Sequence, residues 1–303
     1  MENQKKALVK NRASITAEYM ALFRALESSR PPGFRLFHDP YAATFLEGPR
    51  RWLYRIARFG PGRRLVEAVL DRGAPGARET GILRTRWIDV AAAAELEKAT
   101  QLVLLGAGFD MRAYRLSAAA SATIFELDYP ETSLAKQAIL RRALRSLPER
   151  VRYVGIDFQR RSVSEVLLQA GFDYTRPACF IWEGVTNYLK AEAVDQTLGE
   201  IRRTAAGNLL LFTYIDRGVL DHPDRYASAR QLMARLASYG EPWTFGLDPR
   251  ELAGFLAARG FDLIAESSIE ETAPPERRGM RSLKGYEFYR LGAARVQTRH
   301  LST

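Results

Sequence analysis

Gln101–Asp128, QLVLLGAGFDMRAYRLSAAASATIFELD, is the stretch on which the reading of this chain turns. An apolar run, Leu102 to Leu105, breaks at Gly106-Ala107-Gly108, and a second, Ala122 to Phe125, ends in Glu126-Leu127-Asp128. Apolar runs of this length bounded by glycine read as buried parallel strands. Gly-x-Gly at the end of the first lets the backbone turn sharply and lets a ligand approach where a Cβ would block it. An acidic residue about 20 positions further on, ending the next strand, is placed to accept from both hydroxyls of a ribose. The pattern predicts an α/β fold with a doubly wound sheet and a nucleoside-cofactor site at its carboxyl edge.

A dinucleotide fingerprint needs a third glycine, to pack the helix onto the strand and expose its N–H groups to pyrophosphate. Asp110, Met111 and Arg112 stand there instead. An anionic Asp110 near that helix start repels pyrophosphate and suits a cation, so adenosine attached to a sulfonium fits better than NAD. A glycine turn with no ligand is the remaining alternative.

Composition narrows the class. The chain has 303 residues, 47% of them hydrophobic, enough for a sizeable core. No apolar run approaches the length that spans a bilayer, and MENQKKALVK lacks the apolar stretch of a secretory signal. A cytoplasmic protein with no membrane partner is the expectation. The single cysteine, Cys179, sits in an apolar run with no histidine near it in sequence, which reads as a buried thiol. His38, His222 and His300 show no metal-ligand spacing, so no metal site is predicted. Lys+Arg number 45 against 35 Asp+Glu, but the densest group, Arg141, Arg142, Arg145, Arg150 and Arg152, falls on the helix after the second strand and its exit loop. That face points to solvent, away from the cofactor edge, so nucleic acid is not the expected partner. The positive field favours an anionic small-molecule substrate.

Before the first strand the chain reads as helix. Apolar spacing predicts a helix from about Ala13 to Ser29, and Asp39-Pro40 restarts one with Asp39 as cap. Phe59-Gly60-Pro61-Gly62 and Gly73-Ala74-Pro75-Gly76 punctuate two more, and a helix carrying Arg84 and Arg86 starts near Glu79. Residues 1–78 are thus expected to form a helical cap or lid, with 79–303 as the sheet domain in the same structural unit. Strands are predicted over Val151–Ile156, Ala178–Trp182 and Asn208–Tyr214, alternating with helices. Ile215–Leu247 reads as an insertion, and Phe261–Ile269 with Tyr286–Leu291 as an antiparallel pair at a sheet edge. Four successive strands end in Gly106, Asp128, Asp157 and Glu183, on the edge where open α/β sheets bind ligands.

These stretches resemble the leucine carboxyl methyltransferase family and its bacterial small-molecule relatives among class I S-adenosylmethionine-dependent methyltransferases. HDPYAATFL, LRTRWID, LVLLGAGFDMRAYRL, FELDYP, YVGIDF and WEGVTNYL occur in the family's order between about Arg30 and Leu189. The resemblance implies a seven-stranded class I methyltransferase sheet, an N-terminal helical lid, S-adenosyl-L-methionine as cofactor and methylation of an oxygen, usually of a carboxylate. By the same resemblance Arg84 holds the methionine carboxylate, with Arg86 as its rival. Gly106 lies beneath the methionine moiety, Asp128 binds the ribose with Glu126 as rival, and Asp157 and Phe158 flank the adenine. Glu183 sits near the amino end, and Tyr188 falls at an active-site position that a core aromatic could equally fill. Thr186 and Asn187 are further candidates to orient the acceptor.

The family's eukaryotic enzymes carry a lysine-containing stretch where this chain has Glu27-Ser28-Ser29-Arg30, so their protein-tail specificity does not carry over. O-methylation of a natural-product-type carboxylate is the expectation; methylation of a phenol or enol, needing a base, is the alternative, and a nucleic-acid acceptor stands behind both.

Overall fold

The computed structural model describes residues 15–226, 229–278 and 286–298. The start of the first predicted helix, Ala13 and Ser14, lies outside them, as does His300. Among the described residues four helices come first: α1 (Ile15–Ser28), α2 (Gly48–Ala57), α3 (Gly60–Gly73) and the long α4 (Ala77–Glu95). Proline near the first position starts α2 and α3, where the missing N–H costs nothing. Asp39 is buried and accepts from the backbone N–H groups of Tyr41 and Ala42 at 3.0 Å, capping the short helical turn Ala42–Phe45.

Strands and helices then alternate: β1 (Gln101–Leu105), β2 (Thr123–Asp128), α5 (Pro130–Ala143), β3 (Val151–Gly155), α6 (Val163–Gln169), β4 (Ala178–Trp182), α7 (Ala191–Ile201) and β5 (Leu209–Ile215). After α8 (Ala229–Ser238) and α9 (Leu252–Ala257) come β6 (Phe261–Ser268) and β7 (Tyr289–Val296). Among the described residues these strands form one seven-stranded sheet in the order β3-β2-β1-β4-β5-β7-β6. β1 to β5 are parallel, and β7 runs antiparallel between β5 and β6. The predicted final pair therefore forms, but only β6 is an edge strand.

β1 shows why its sequence is apolar throughout. Val103 and Leu105 pack on one side with residues of α6, α7 and α9, while Leu102 and Leu104 pack on the other with Ile88, Ala92 and Leu96. A parallel strand covered on both faces has no solvent side to mark with polar residues. The chain winds from β1 outward to β3, then returns to place β4 on β1's other side. The crevice where that direction reverses lies at the ends of β1 and β4.

The N-terminal helices close over this crevice. Ala21, Leu22, Ala25 and Leu26 of α1, with Phe45 and Leu46, are buried against Phe109, Met111 and Leu140. Phe45 stacks on Phe109 at 4.6 Å. The cap thus shares one apolar core with the loop after β1.

Candidate active site

A cavity of about 480 Å³ opens at this reversal point, within the range of small-molecule sites. Its floor is the turn after β1. Gly106 and Gly108 have φ of +71° and +46°. A Cβ on Gly106 would lie 2.3 Å from Val185 Cγ2, so neither backbone conformation nor space admits a larger residue.

The Gly108 N–H donates to Asp128 Oδ2, and the Tyr129 N–H to Oδ1 at 2.6 Å. These bonds fix the carboxylate at the cavity wall while leaving further lone pairs for a ligand's hydroxyls. Burial pushes the Asp128 carboxyl up to about 6, against the pull of the two backbone N–H groups. Glu126, its rival, is absent from the wall. It is buried beside Lys136, Nζ to Oε2 2.7 Å, and burial pushes it up to about 7.

Arg84, on α4, reaches the opposite wall. Its Nε donates to Glu183 Oε1 at 2.8 Å and its Nη1 to the Tyr289 hydroxyl at 2.9 Å. Nη2 lies beside Gly184, where an added Cβ would stand 3.1 Å from it. Arg86 is half-buried and lies off the cavity wall. Helical geometry separates them, because residues two apart point to different faces.

Glu183 and Asp110 are both held as anions. Arg112 is almost fully buried and gives Glu183 Oε2 a contact of 2.6 Å and Asp89 Oδ1 one of 2.7 Å, while its Nη1 also pairs with Asp110. Burial raises the Asp110 carboxyl, but Arg112, Arg115 and Lys136 outweigh it and hold it at about 2. Glu183 is likewise lowered, burial being overcome by Arg112 and Arg84. The pairing continues into the cap: Arg115 meets Asp89 at 2.5 Å and Asp39 at 3.8 Å, and Arg24 of α1 meets Asp39 at 2.9 Å. A chain of alternating charges thus runs beneath the cavity from Arg84 to the lid helix.

Phe158 and Gln159 line the wall beyond Asp128. Asp157 does not; its Oδ1 takes the Gln159 N–H at 3.0 Å and the Tyr129 hydroxyl at 3.2 Å, and its Oδ2 lies 3.5 Å from Arg160. The expected adenine-side carboxylate instead fixes the turn that presents Phe158. Tyr188 lines the cavity while its ring packs against the core around Leu83 and Phe288; burial pushes its hydroxyl up to about 12. Thr186 and Asn187 are buried away from the wall, Thr186 bonding the Thr213 carbonyl at 2.7 Å, so neither faces an acceptor.

Several wall residues carried no sequence signal. Thr16, Ala17 and Met20 of α1 form the roof, and Gly240, Glu241, Pro242 and Thr244 come from the long insertion after β5. Thr16 donates its hydroxyl to Glu241, closing lid and insertion over the opening. Arg112 lies in the most informative motif, yet only as a residue that is not glycine. Besides Asp110 two positions away, its partners Asp89 and Glu183 stand 23 and 71 positions away, beyond any local pattern.

The wall fits the predicted cofactor: a glycine floor, a carboxylate fixed for a diol, a guanidinium edge at the far side, and paired anions suited to a cationic ligand. Residues 17–202 match the leucine carboxyl methyltransferase family. A Streptomyces coelicolor protein named "Putative S-adenosyl-L-methionine-dependent methyltransferase" is 32% identical over 280 residues, 90% of each chain. A Frankia alni protein given the same description is 36% identical over 214 residues, 68% of this chain and 71% of its own. Among solved structures, a "putative methyltransferase" from Thermobifida fusca superposes with a TM-score of 0.55 at 19% identity, covering 81% of this chain and 94% of that one. A DUF574 family protein from Streptomyces avermitilis gives 0.56 at 15%, covering 81% and 95%. At such identities these two share the fold alone. The chain belongs to the leucine carboxyl methyltransferase family.

Proposed function

We propose that this protein methylates the carboxylate of a small anionic molecule of natural-product type. It is an S-adenosyl-L-methionine-dependent methyltransferase, as its family membership indicates. When bound, that cofactor supplies an electrophilic methyl group on a sulfonium centre. In this reading Asp128 accepts from the ribose hydroxyls, Arg84 holds the methionine carboxylate, and Glu183 and Asp110 stand by the cationic end. Gly106 permits close approach, and Phe158 packs on the adenine.

The observation that carries the acceptor assignment is the set of groups around the opening: a tyrosine, a lysine, and carboxylates paired with arginines. Tyr188, pushed up to about 12, donates a hydrogen bond at neutral pH and accepts no proton. Glu183 and Asp110 are tied to arginines and held low. Lys190, exposed on the rim, adds a positive charge. Donors and a cation suit an acceptor that is already an anion. A carboxylate of ordinary pKa, about 4, needs no base at pH 7. The chain's contribution is then to position the acceptor through Tyr188 and Lys190 and to exclude water with α1, the former worth roughly 7–11 kcal/mol.

A second reading, methylation of a phenol or enol, draws on Glu241, which lines the cavity and acts electrostatically on Tyr188. Glu241 would be its base. Supplying a panel of aromatic and aliphatic acids with labelled methyl donor separates the two: alkali-labile label supports the ester, alkali-stable label the ether.

A further inference from the structure

We infer that the α2–α3 hairpin is a docking surface for an anionic lipid bilayer. Gly48–Gly73 carries seven arginines against two acids. Both acids are engaged: Glu67 meets Arg30 at 2.6 Å, and Asp71 meets Arg78 at 2.8 Å. Arg50 and Arg63 hold the hairpin to α1, through Glu18 at 2.9 Å and the Leu26 carbonyl at 2.8 Å. Arg51, Arg55, Arg58, Arg64 and Arg72 stay exposed, and none forms an ion pair among the described residues.

Between them stand large apolar side chains in water. Trp52 is 63% exposed, Phe59 73% and Leu65 62%, with Ile56 and Val69 also exposed. Trp52 and Ile56 are four apart on α2, Leu65 and Val69 four apart on α3, and Phe59 lies at the turn joining the helices. Each helix thus keeps an outer apolar stripe separate from the face that packs on the core through Ala57 and Val66. Single exposed apolar residues need no explanation, but a group of this size set among arginines does. A helical surface with aromatic and aliphatic residues among arginines is the chemistry of helices that lie in the bilayer interface.

Charge selects the occupant. A second copy docking through the same patch in a two-fold pair would set arginine against arginine. Nucleic acid would satisfy the arginines and leave Ile56, Leu65 and Val69 in water. Acidic headgroups over acyl chains satisfy both. No described helix is long and apolar enough to cross a membrane, so the attachment is peripheral.

The test uses the full chain with vesicles of phosphatidylcholine mixed with phosphatidylglycerol, and of phosphatidylcholine alone. The protein should sediment with the mixed vesicles at low salt, and about tenfold or more less with the neutral ones or at high salt. Trp52 is the exposed tryptophan, Trp182 and Trp243 being buried and Trp87 half-buried, so its emission should shift to the blue on binding. Trp52→Ser with Phe59→Ser, and separately Arg51→Glu with Arg58→Glu, should each lower partitioning about tenfold or more while unfolding midpoint and cofactor affinity stay unchanged. No sedimentation at low salt, or partitioning that both variants retain, would overturn the inference. A dimer in light scattering that both variants dissolve would overturn it in favour of a second copy.

Discussion

Asp128 is where binding can be read most sharply. Its two carboxylate oxygens are each fixed by one backbone N–H, from Gly108 and Tyr129, and the residue lines the cavity. Asp128→Ala removes the acceptors for both ribose hydroxyls. Hydrogen bonds to a charged group contribute about 1.5–3 kcal/mol, so cofactor affinity should fall about 10- to 150-fold. The pH dependence is an independent check. Burial raises the folded-state carboxyl to about 6, so the ionised form, which accepts from both hydroxyls, predominates only above that value. Affinity should therefore be constant above about pH 7 and weaken, up to about tenfold per unit, as pH falls through 6. Asp128→Ala should lose that dependence. Titration calorimetry with S-adenosylhomocysteine measures both. An unchanged dissociation constant in the variant would refute the ribose assignment; a wild-type profile flat from pH 5 to 8 would refute the raised carboxyl.

Arg84→Lys should weaken cofactor binding by losing the planar fork, whereas Arg86→Lys should not; the reverse result by calorimetry would reassign the wall. Gly106→Ala should lose cofactor binding through its contact with Val185. It should also lower stability in urea denaturation, and Val185→Gly in the same chain should recover the part due to the clash while the part due to the strained φ persists. Arg112→Leu leaves Asp110 without its ion-pair partner, and Glu183 and Asp89 with Arg84 and Arg115 alone, and should cost about 3–5 kcal/mol in unfolding free energy, far more than Arg160→Leu at the surface.

The strands that build the site were legible because each is an apolar run stopped by a residue of distinct chemistry. Ala178–Trp182 matches its expected bounds, and β1, β2, β3 and β5 fall close to theirs. β7 was half missed: Tyr286–Leu291 was expected, Tyr289–Val296 forms. Its second half contains Gly292, Ala293 and Ala294, which carry no strand propensity of their own. Gly292 is small because the sheet needs it so, since a Cβ there would stand 2.3 Å from the Phe212 ring on β5. That is tertiary packing, which no local window contains. The same limit hid half of the site. Gly106, Asp128 and Glu183 end strands and could be read in place. Thr16 and Glu241 reach the opening only through how lid and insertion fold over it, and Lys190 stands at the start of α7, where no local pattern marks it. Asp157 ends a strand like the others, yet the turn that follows draws its carboxylate off the wall toward Gln159, Tyr129 and Arg160. The arginines of the α5 region were expected in solvent. Arg141, Arg142 and Arg145 are exposed, but Arg150 donates to the Ala113 and Ala119 carbonyls at 2.7 and 3.0 Å and acts structurally.

Methyl transfer to a carboxylate is tested most directly by single-turnover chemistry. Enzyme saturated with methyl-labelled cofactor is mixed with a carboxylic acid acceptor, and the rate and the alkali stability of the product are followed from about pH 6 to 8. The predicted result is a nearly flat rate and label released by mild base, because the acceptor is already ionised and Tyr188 keeps its proton throughout. Tyr188→Phe should slow that rate without changing the profile. A rate rising steeply with pH, lost in Glu241→Gln and yielding an alkali-stable product, would contradict the account and identify a hydroxyl acceptor.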